Sequence, residues 1–144
     1  MQFWPHRRQA GSYRGERPYA KFFIKRVFTV TDIQRYQFDT RVHHAVKHNG
    51  VVYLTGQVGT PGTSAAEQTR EVLAKVDHLL ALAGTDKRKI LNVILWLDDL
   101  RDFDEVNAVW DAWVDKEHAP ARSTGQARMA KPGMLVEFII TAAT

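Results

Sequence analysis

Between residues 33 and 144 the spacing of apolar positions changes period several times, and each change marks an element. Gln34 to Asp39 and Val42 to Lys47 read as short strands, and His48-Asn49-Gly50 is turn chemistry with a residue able to take φ > 0. Val51 to Val58 follows as a strand, and its opening Val51-Val52-Tyr53-Leu54 is apolar enough to be covered on both faces. Gly56, Gly59, Pro61 and Gly62 then break the chain into a loop. Ser64 with Glu67 three places on is a capping box, and Ala65, Thr69, Val72, Leu73, Val76, Leu79, Leu80 and Ala83 recur at helical spacing. The spacing predicts a helix from about Ser64 to Ala83, stopped by Gly84.

Lys89 to Leu97 is a β-branched and aliphatic run bounded by charge, which predicts a buried central strand. Asp98 to Asp102 turns out of it. Phe103, Val106, Trp110, Trp113 and Val114 mark one face of a second helix ending near Lys116, and its tryptophans belong to the core before they belong to any ligand. Arg122 to Met129 and Leu135 to Thr141 read as two strands joined in a hairpin through Lys131-Pro132-Gly133-Met134, where Pro and Gly stand as a type II turn requires. Strands, helix, strand, helix and a strand pair predict one α+β domain, with both helices on one face of a single sheet. The opposite face has no element left to cover it, which predicts oligomerisation through that face.

Composition narrows the chemistry. The chain has no cysteine, so disulfides, thiolate nucleophiles and Cys-based zinc sites are excluded together. Its 144 residues are enough for one hydrophobic core. No apolar run approaches the roughly 20 residues that cross a bilayer, and the first residues lack a signal peptide's apolar stretch, so a soluble cytoplasmic protein is expected. The formal charge of +4 is uneven: through Val30 seven basic residues face one acid (+6), and from there on thirteen face fifteen (−2). Residues 1–32 are therefore read as a basic leader, and residues 33–144 as the domain. A basic tail is more often solvated than bound to phosphates, so a nucleic-acid partner is not expected. The leader's interleaved Phe3, Trp4, Tyr13, Tyr19, Phe22 and Phe23 leave open a docking role on the domain or on a partner.

Two residues of the last strand pair carry the candidate chemistry. In the simplest hairpin register Arg128 sits opposite Glu137, and a cross-strand pair of opposite charge accounts for both. Arg122 has no carboxylate at its partner position, among the small residues near Ala143. Spacing alone leaves it as either an ordinary surface or interface arginine or a clamp whose planar fork grips an external carboxylate. In that register Arg122 and Glu137 lie about six rungs, or about 20 Å, apart. A site using both must then lie between subunits. His43, His44 and His48 cluster in sequence, but neighbours on a strand point to opposite faces and residues four apart are separated by about 13 Å, so no metal site is expected. Thr55-Gly56-Gln57 offers backbone N–H groups at a strand end. Asn107 lies on the polar side of the second helix.

Taken in order, Leu54-Thr55-Gly56-Gln57, Gln68-Thr69, Ala83-Gly84, Asp102-Phe103 with Val106-Asn107, and Pro120-Ala121-Arg122-Ser123 followed by Val136-Glu137 resemble the RidA family, also called YjgF or reactive-intermediate deaminases. The likeness spans roughly Arg41 to Ala142. It implies a chorismate-mutase-like fold, a homotrimer with its sheets facing inward, and clefts between subunits. It also implies hydrolysis of 2-imino or enamine acids to 2-keto acids and ammonia, with no metal or cofactor. Arg122 would grip the substrate carboxylate and Glu137 would orient a water, while Thr55, Gly56, Asn107 and Thr124 line the cleft. The chain departs from the family pattern at several points. Thr124 stands where archetypal members have Cys, and no phenol occupies the position near Val42. The loop after Gln57 is shorter, as is the stretch from Arg122 to Arg128, and the basic leader has no counterpart. These departures keep a second reading in view, a non-catalytic or regulatory protein that binds small carboxylates on the same fold.

Overall fold

A computed structural model describes residues 32–144. The leader expected over residues 1–32 lies outside the described residues except at Asp32. Two strands, β1 (Gln34–Phe38) and β2 (His43–His48), lead into β3 (Val51–Val58). The β2–β3 hairpin turns on Asn49 (φ 51°) and Gly50 (φ 77°), and this pair of left-handed residues twists with the strands they join. Then come α1 (Ala65–Leu82), β4 (Ile90–Leu97), α2 (Phe103–Trp113), β5 (Ala121–Gln126) and β6 (Val136–Ala143). Single 3-10 turns precede β4 and flank α2.

The six strands form one sheet in the order β1-β2-β3-β6-β4-β5. β6 runs antiparallel to both β3 and β4, and β5 runs parallel to β4. The expected hairpin between the last two strands does not form, because β4 lies between them. The reason is topological: α2 carries the chain from the end of β4 back to its start, so β5 returns parallel to β4 and takes its outer side. β6 takes the other side. Arg128 falls beyond the end of β5 and does not oppose Glu137, which pairs in register with Val58 and Trp96. The predicted turn does form, with Gly133 at φ 82° and the Met134 N–H donating to Lys131 O at 3.3 Å. It caps a docked loop instead of a hairpin.

Both helices pack on one side of the sheet, as expected. Ser64 and Glu67 close the capping box that starts α1, and Lys47 Nζ donates to Ala83 O (3.0 Å) where it ends. Val72, Leu73, Val76, Leu79 and Leu80 press on Val52, Leu54, Val93, Leu95, Phe138 and Ile140, all nearly inaccessible. Trp110 of α2 is buried and lies near-parallel to Phe138, with centroids 6.1 Å apart and planes 16° apart. Trp113 is half-buried, and its Nε1 donates to Asp77 on α1 (2.9 Å). The tryptophans are core residues, as the periodicity of α2 requires. Among the described residues no element covers the other side of the sheet, against the expectation that β3 would be covered on both faces: Tyr53 is 52 % exposed. Ile94, Trp96, Glu137, Ile139 and Thr141 share that side with it.

Two polar features hold the edges of this arrangement. Gln68 is wholly buried, yet its carboxamide is saturated: Nε2 donates to Thr63 O (3.1 Å) and Gly133 O (2.9 Å), and Oε1 accepts from the Leu135 N–H (2.9 Å). It ties the start of α1 to the loop that delivers β6. On the outer strand β1, the ladder skips Gln37, which takes φ 48° and turns its carboxamide to His78 of α1 at 2.8 Å.

Gln68→Leu should therefore destabilise by about 3 kcal/mol or more, since a near-isosteric apolar side chain leaves the Leu135 N–H and the Gly133 carbonyl stranded. Urea unfolding with an unchanged slope and a lowered midpoint would register this loss. Hydrogen bonds from the Ser64 backbone and side chain hold the Glu67 carboxyl below its ordinary value. A depressed folded pKa stabilises above the unfolded value and is lost as pH falls through the folded one. Glu67→Gln should thus lower the unfolding midpoint at pH 7 and match wild type in strong acid; an equal deficit at both pH values would assign the effect elsewhere.

Candidate functional site

Two clusters contain the residues that the sequence singled out. The first is at the β5 edge. Arg122 is level with Val93 of the core, so its side chain leaves the sheet on the helix side and runs under α2. Its Nη2 donates to Asn107 Oδ1 at 2.7 Å, and its guanidinium carbon sits 5.0 Å over the Trp110 ring. Asn107 and Trp110 are one helical turn apart, which is why a single guanidinium can meet both. Arg122 Nη1 is buried and has no hydrogen-bond partner among the described residues. Burial lowers the Arg122 pKa from the usual guanidinium value, and the charge of Asp111 opposes that shift. Thr124, two residues along the same strand, emerges half-buried on the same side.

The second cluster is on the open side of the sheet. Glu137 lies between Val58 and Trp96 in the ladder, with its carboxylate directly over Gly56: a Cβ at position 56 would overlap Glu137 Oε1. The β3–β6 register shifts between Leu54 and Gln57, so Thr55 and Gly56 form an irregularity that lets the strand bend under the carboxylate. Only glycine leaves that space free. The Gln57 side chain turns back, Nε2 donating to Thr55 O (2.9 Å) and standing 3.4 Å from His44 Nδ1.

Arg122 and Glu137 are thus brought into the same sheet but onto opposite faces of it. Along β4 their partners are Val93 and Trp96, three positions apart, and not the six rungs of the expected hairpin. Three rungs along and two strands across give about 14 Å, so the separation survives the correction of the register. A small ligand cannot touch both within one chain. The three histidines are divided among different neighbours: His43 against the Phe38 ring, His44 beside Gln57, and His48 Nε2 beside the Asn49 carboxamide.

By spacing alone Asn107 is a polar-side residue of the second helix, and only the family resemblance brings it to the cleft; in the structure it is the acceptor for Arg122 Nη2. Trp110, expected in the core and found there, also lies beneath the Arg122 guanidinium, a contact that spacing did not reveal. The signal was present as the interval of three between Asn107 and Trp110 on a predicted helix, but it needed knowledge of which strand passes beneath. A groove of about 620 Å³ between α1 and α2, walled by Arg70, Leu73, Asp77, Glu105, Val109 and Trp113 among others, contains none of the singled-out residues.

Comparison with known proteins bears on the same segment. Residues 33–144 match the family model described as Endoribonuclease L-PSP. A RutC family protein of Haemophilus ducreyi is 39 % identical over 112 residues, covering 77 % of this chain and 96 % of that protein. The RutC family protein YoaB of Escherichia coli is 40 % identical over 111 residues, covering 77 % of this chain and 97 % of that protein. Among solved structures, a member of the YjgF protein family from Neisseria meningitidis superposes with a TM-score of 0.77 at 43 % identity, covering 80 % of this chain and 97 % of that one. A mixed six-stranded sheet backed by two helices, matched across nearly the whole length of these relatives, places the chain in the RidA/YjgF family.

Proposed function

We propose that the protein is a homotrimeric deaminase that hydrolyses 2-imino and enamine acids to 2-keto acids and ammonia in clefts between protomers. One protomer supplies Arg122, Asn107 and Thr124, and its neighbour supplies Glu137, Thr55 and Gly56. The observation that carries this reading is the state of Arg122. It is half-buried, oriented by a neutral acceptor, and has a donor left over for a carboxylate from outside the chain. A structural arginine at this depth is ordinarily paired with an acid of its own fold. The open sheet face, with Trp96 opposite Glu137, Ile139 two positions along β6 and the exposed Tyr53 opposite Thr141, gives the second copy an apolar surface to cover.

The chemistry asks for little beyond placement. The guanidinium holds the substrate carboxylate, which fixes the neighbouring imine carbon in the cleft. A water held by Glu137 adds through its oxygen to that carbon, and the C=N electron pair moves onto nitrogen. Glu137 accepts the water's proton and returns it as nitrogen becomes protonated. The carbinolamine then collapses: Glu137 takes the hydroxyl proton and passes it to the amino nitrogen, and the C–N bond breaks as C=O forms, releasing ammonia and the 2-keto acid. General-base assistance of this kind contributes roughly 10²- to 10⁴-fold. Every step uses groups of this chain, substrate and water.

Arg122→Ala should lower kcat/KM for enzymatically generated 2-iminobutanoate by about a hundredfold or more. Glu137→Gln should lower kcat by a comparable factor while leaving 2-keto acid binding intact. If the imine decays equally with and without the wild-type protein while a 2-keto acid binds saturably, the chain is a carboxylate-binding protein and not a deaminase. A mass near 16.4 kDa in sedimentation would remove the cleft itself. Gly56→Ala supplies a separate check. The added methyl meets the end of the flexible Glu137 side chain, so the carboxylate swings away and the fold stays. Turnover should fall toward the Glu137→Gln level with the thermal midpoint within a few degrees of wild type; full activity in Gly56→Ala would separate the Glu137 position from catalysis.

A further inference from the structure

The geometry points to Trp110 as a positioning residue for the carboxylate grip: its indole carries the Arg122 guanidinium and fixes which N–H groups face the ligand. This inference rests on the reading of Arg122 as the group that binds the substrate carboxylate, and assigns to a core tryptophan a task in that binding. The Arg122 carbon is 5.0 Å over the Trp110 ring. The indole is itself immobile, near-parallel to Phe138 on β6 and tilted against Trp113 at 5.3 Å, with only 6 % of its surface exposed. Arg122 therefore lies on a platform anchored to the middle of the sheet.

The platform matters because an arginine side chain has several rotatable bonds and pays rotamer entropy to stay in one place. Asn107 alone fixes one nitrogen and leaves the guanidinium plane free to turn about that contact. A ring 5.0 Å from the guanidinium carbon restricts that freedom. With Asn107 on Nη2, the Nε–H, the second hydrogen of Nη2 and the buried Nη1 are left without an acceptor among the described residues, and two N–H groups on one edge of the guanidinium match the two oxygens of one carboxylate. The attraction between cation and ring strengthens where water is excluded, as it is around the buried Nη1. The platform also helps keep the guanidinium charged where burial works against it and Asp111 is the only carboxylate whose charge counters that effect among the described residues.

The test compares full-length wild type, Trp110→Phe, Trp110→Leu, Arg122→Ala and the Trp110→Leu/Arg122→Ala double variant. The readouts are 2-oxobutanoate affinity by calorimetry and, where turnover is present, the division of the effect between KM and kcat. Trp110→Leu should weaken 2-oxobutanoate binding about tenfold and raise KM similarly with kcat little changed, whereas Trp110→Phe, which keeps a ring face, should stay within about threefold. The double variant should bind no more weakly than Arg122→Ala, because a residue that acts through Arg122 has nothing further to lose. A purely structural tryptophan would instead give additive losses and no rescue by phenylalanine. Should Trp110→Leu fail to fold, the wild-type protein still decides. The Arg122 Nε–H resonance should be displaced upfield by the indole ring current and should move on titration with 2-oxobutanoate, and a resonance at the exposed-arginine position would overturn the inference. Wild-type affinity in Trp110→Leu with affinity lost in Arg122→Ala would overturn the role of Trp110 and leave the carboxylate grip standing. Undiminished affinity in Arg122→Ala would overturn the grip, and Trp110's role with it.

Discussion

The insertion of β6 between β3 and β4 is the constraint from which the rest follows. Because β6 is the latest of the six strands in the chain and pairs on both sides, the sheet is complete only once β6 has docked between strands formed before it. The two parallel crossovers through α1 and α2 then flank a strand that neither of them delivers. This placement sets the side of every candidate group. It puts Phe138 and Ile140 beneath the helices and Glu137 and Ile139 on the open face. It leaves β5 as an outer strand whose Arg122 reaches back under α2. The buried carboxamide of Gln68 secures the arrangement locally by joining the start of α1 to the segment entering β6.

Opposite faces for Arg122 and Glu137 turn a question of distance into one of assembly. Under the proposed reading each side of the sheet carries half of a site, and closed symmetry is the economical way to complete both with copies of one sequence. The two halves also differ in character. The arginine half is prepared in advance, its guanidinium already oriented by Asn107 and Trp110. The glutamate half depends on space: Gly56 contributes by lacking a side chain, and the strand irregularity at Thr55-Gly56 lets the backbone pass beneath the carboxylate.

Local patterns were legible in the sequence and pairings distant in the chain were not. The capping box at Ser64 and Glu67, the helix-ending Gly84 and the Asn49-Gly50 turn each depend on interactions within a few residues, and each stands where the sequence put it. The Lys131–Met134 turn was also read correctly, yet the hairpin drawn around it was not. Turn chemistry fixes four residues of backbone and says nothing about which strands the chain pairs with afterwards. The roles proposed for Arg122 and Glu137 come only from the ordered family resemblance, since their spacing admits an interface arginine and a cross-strand ion pair. Trp110 was read correctly as core, but periodicity cannot say that a core ring also has a cation lying on it.

The skipped residue in β1 has a consequence for the life of the protein in a crowded solution. Among the described residues β1 is an outer strand, and a straight outer strand ordinarily offers a template for any extended peptide that drifts past. The left-handed kink at Gln37, fastened to His78, breaks that row after a few residues. What remains is too short and too sharply bent for a foreign strand to zip along, so the sheet gains a built-in guard against runaway β-stacking at the cost of one strained backbone angle.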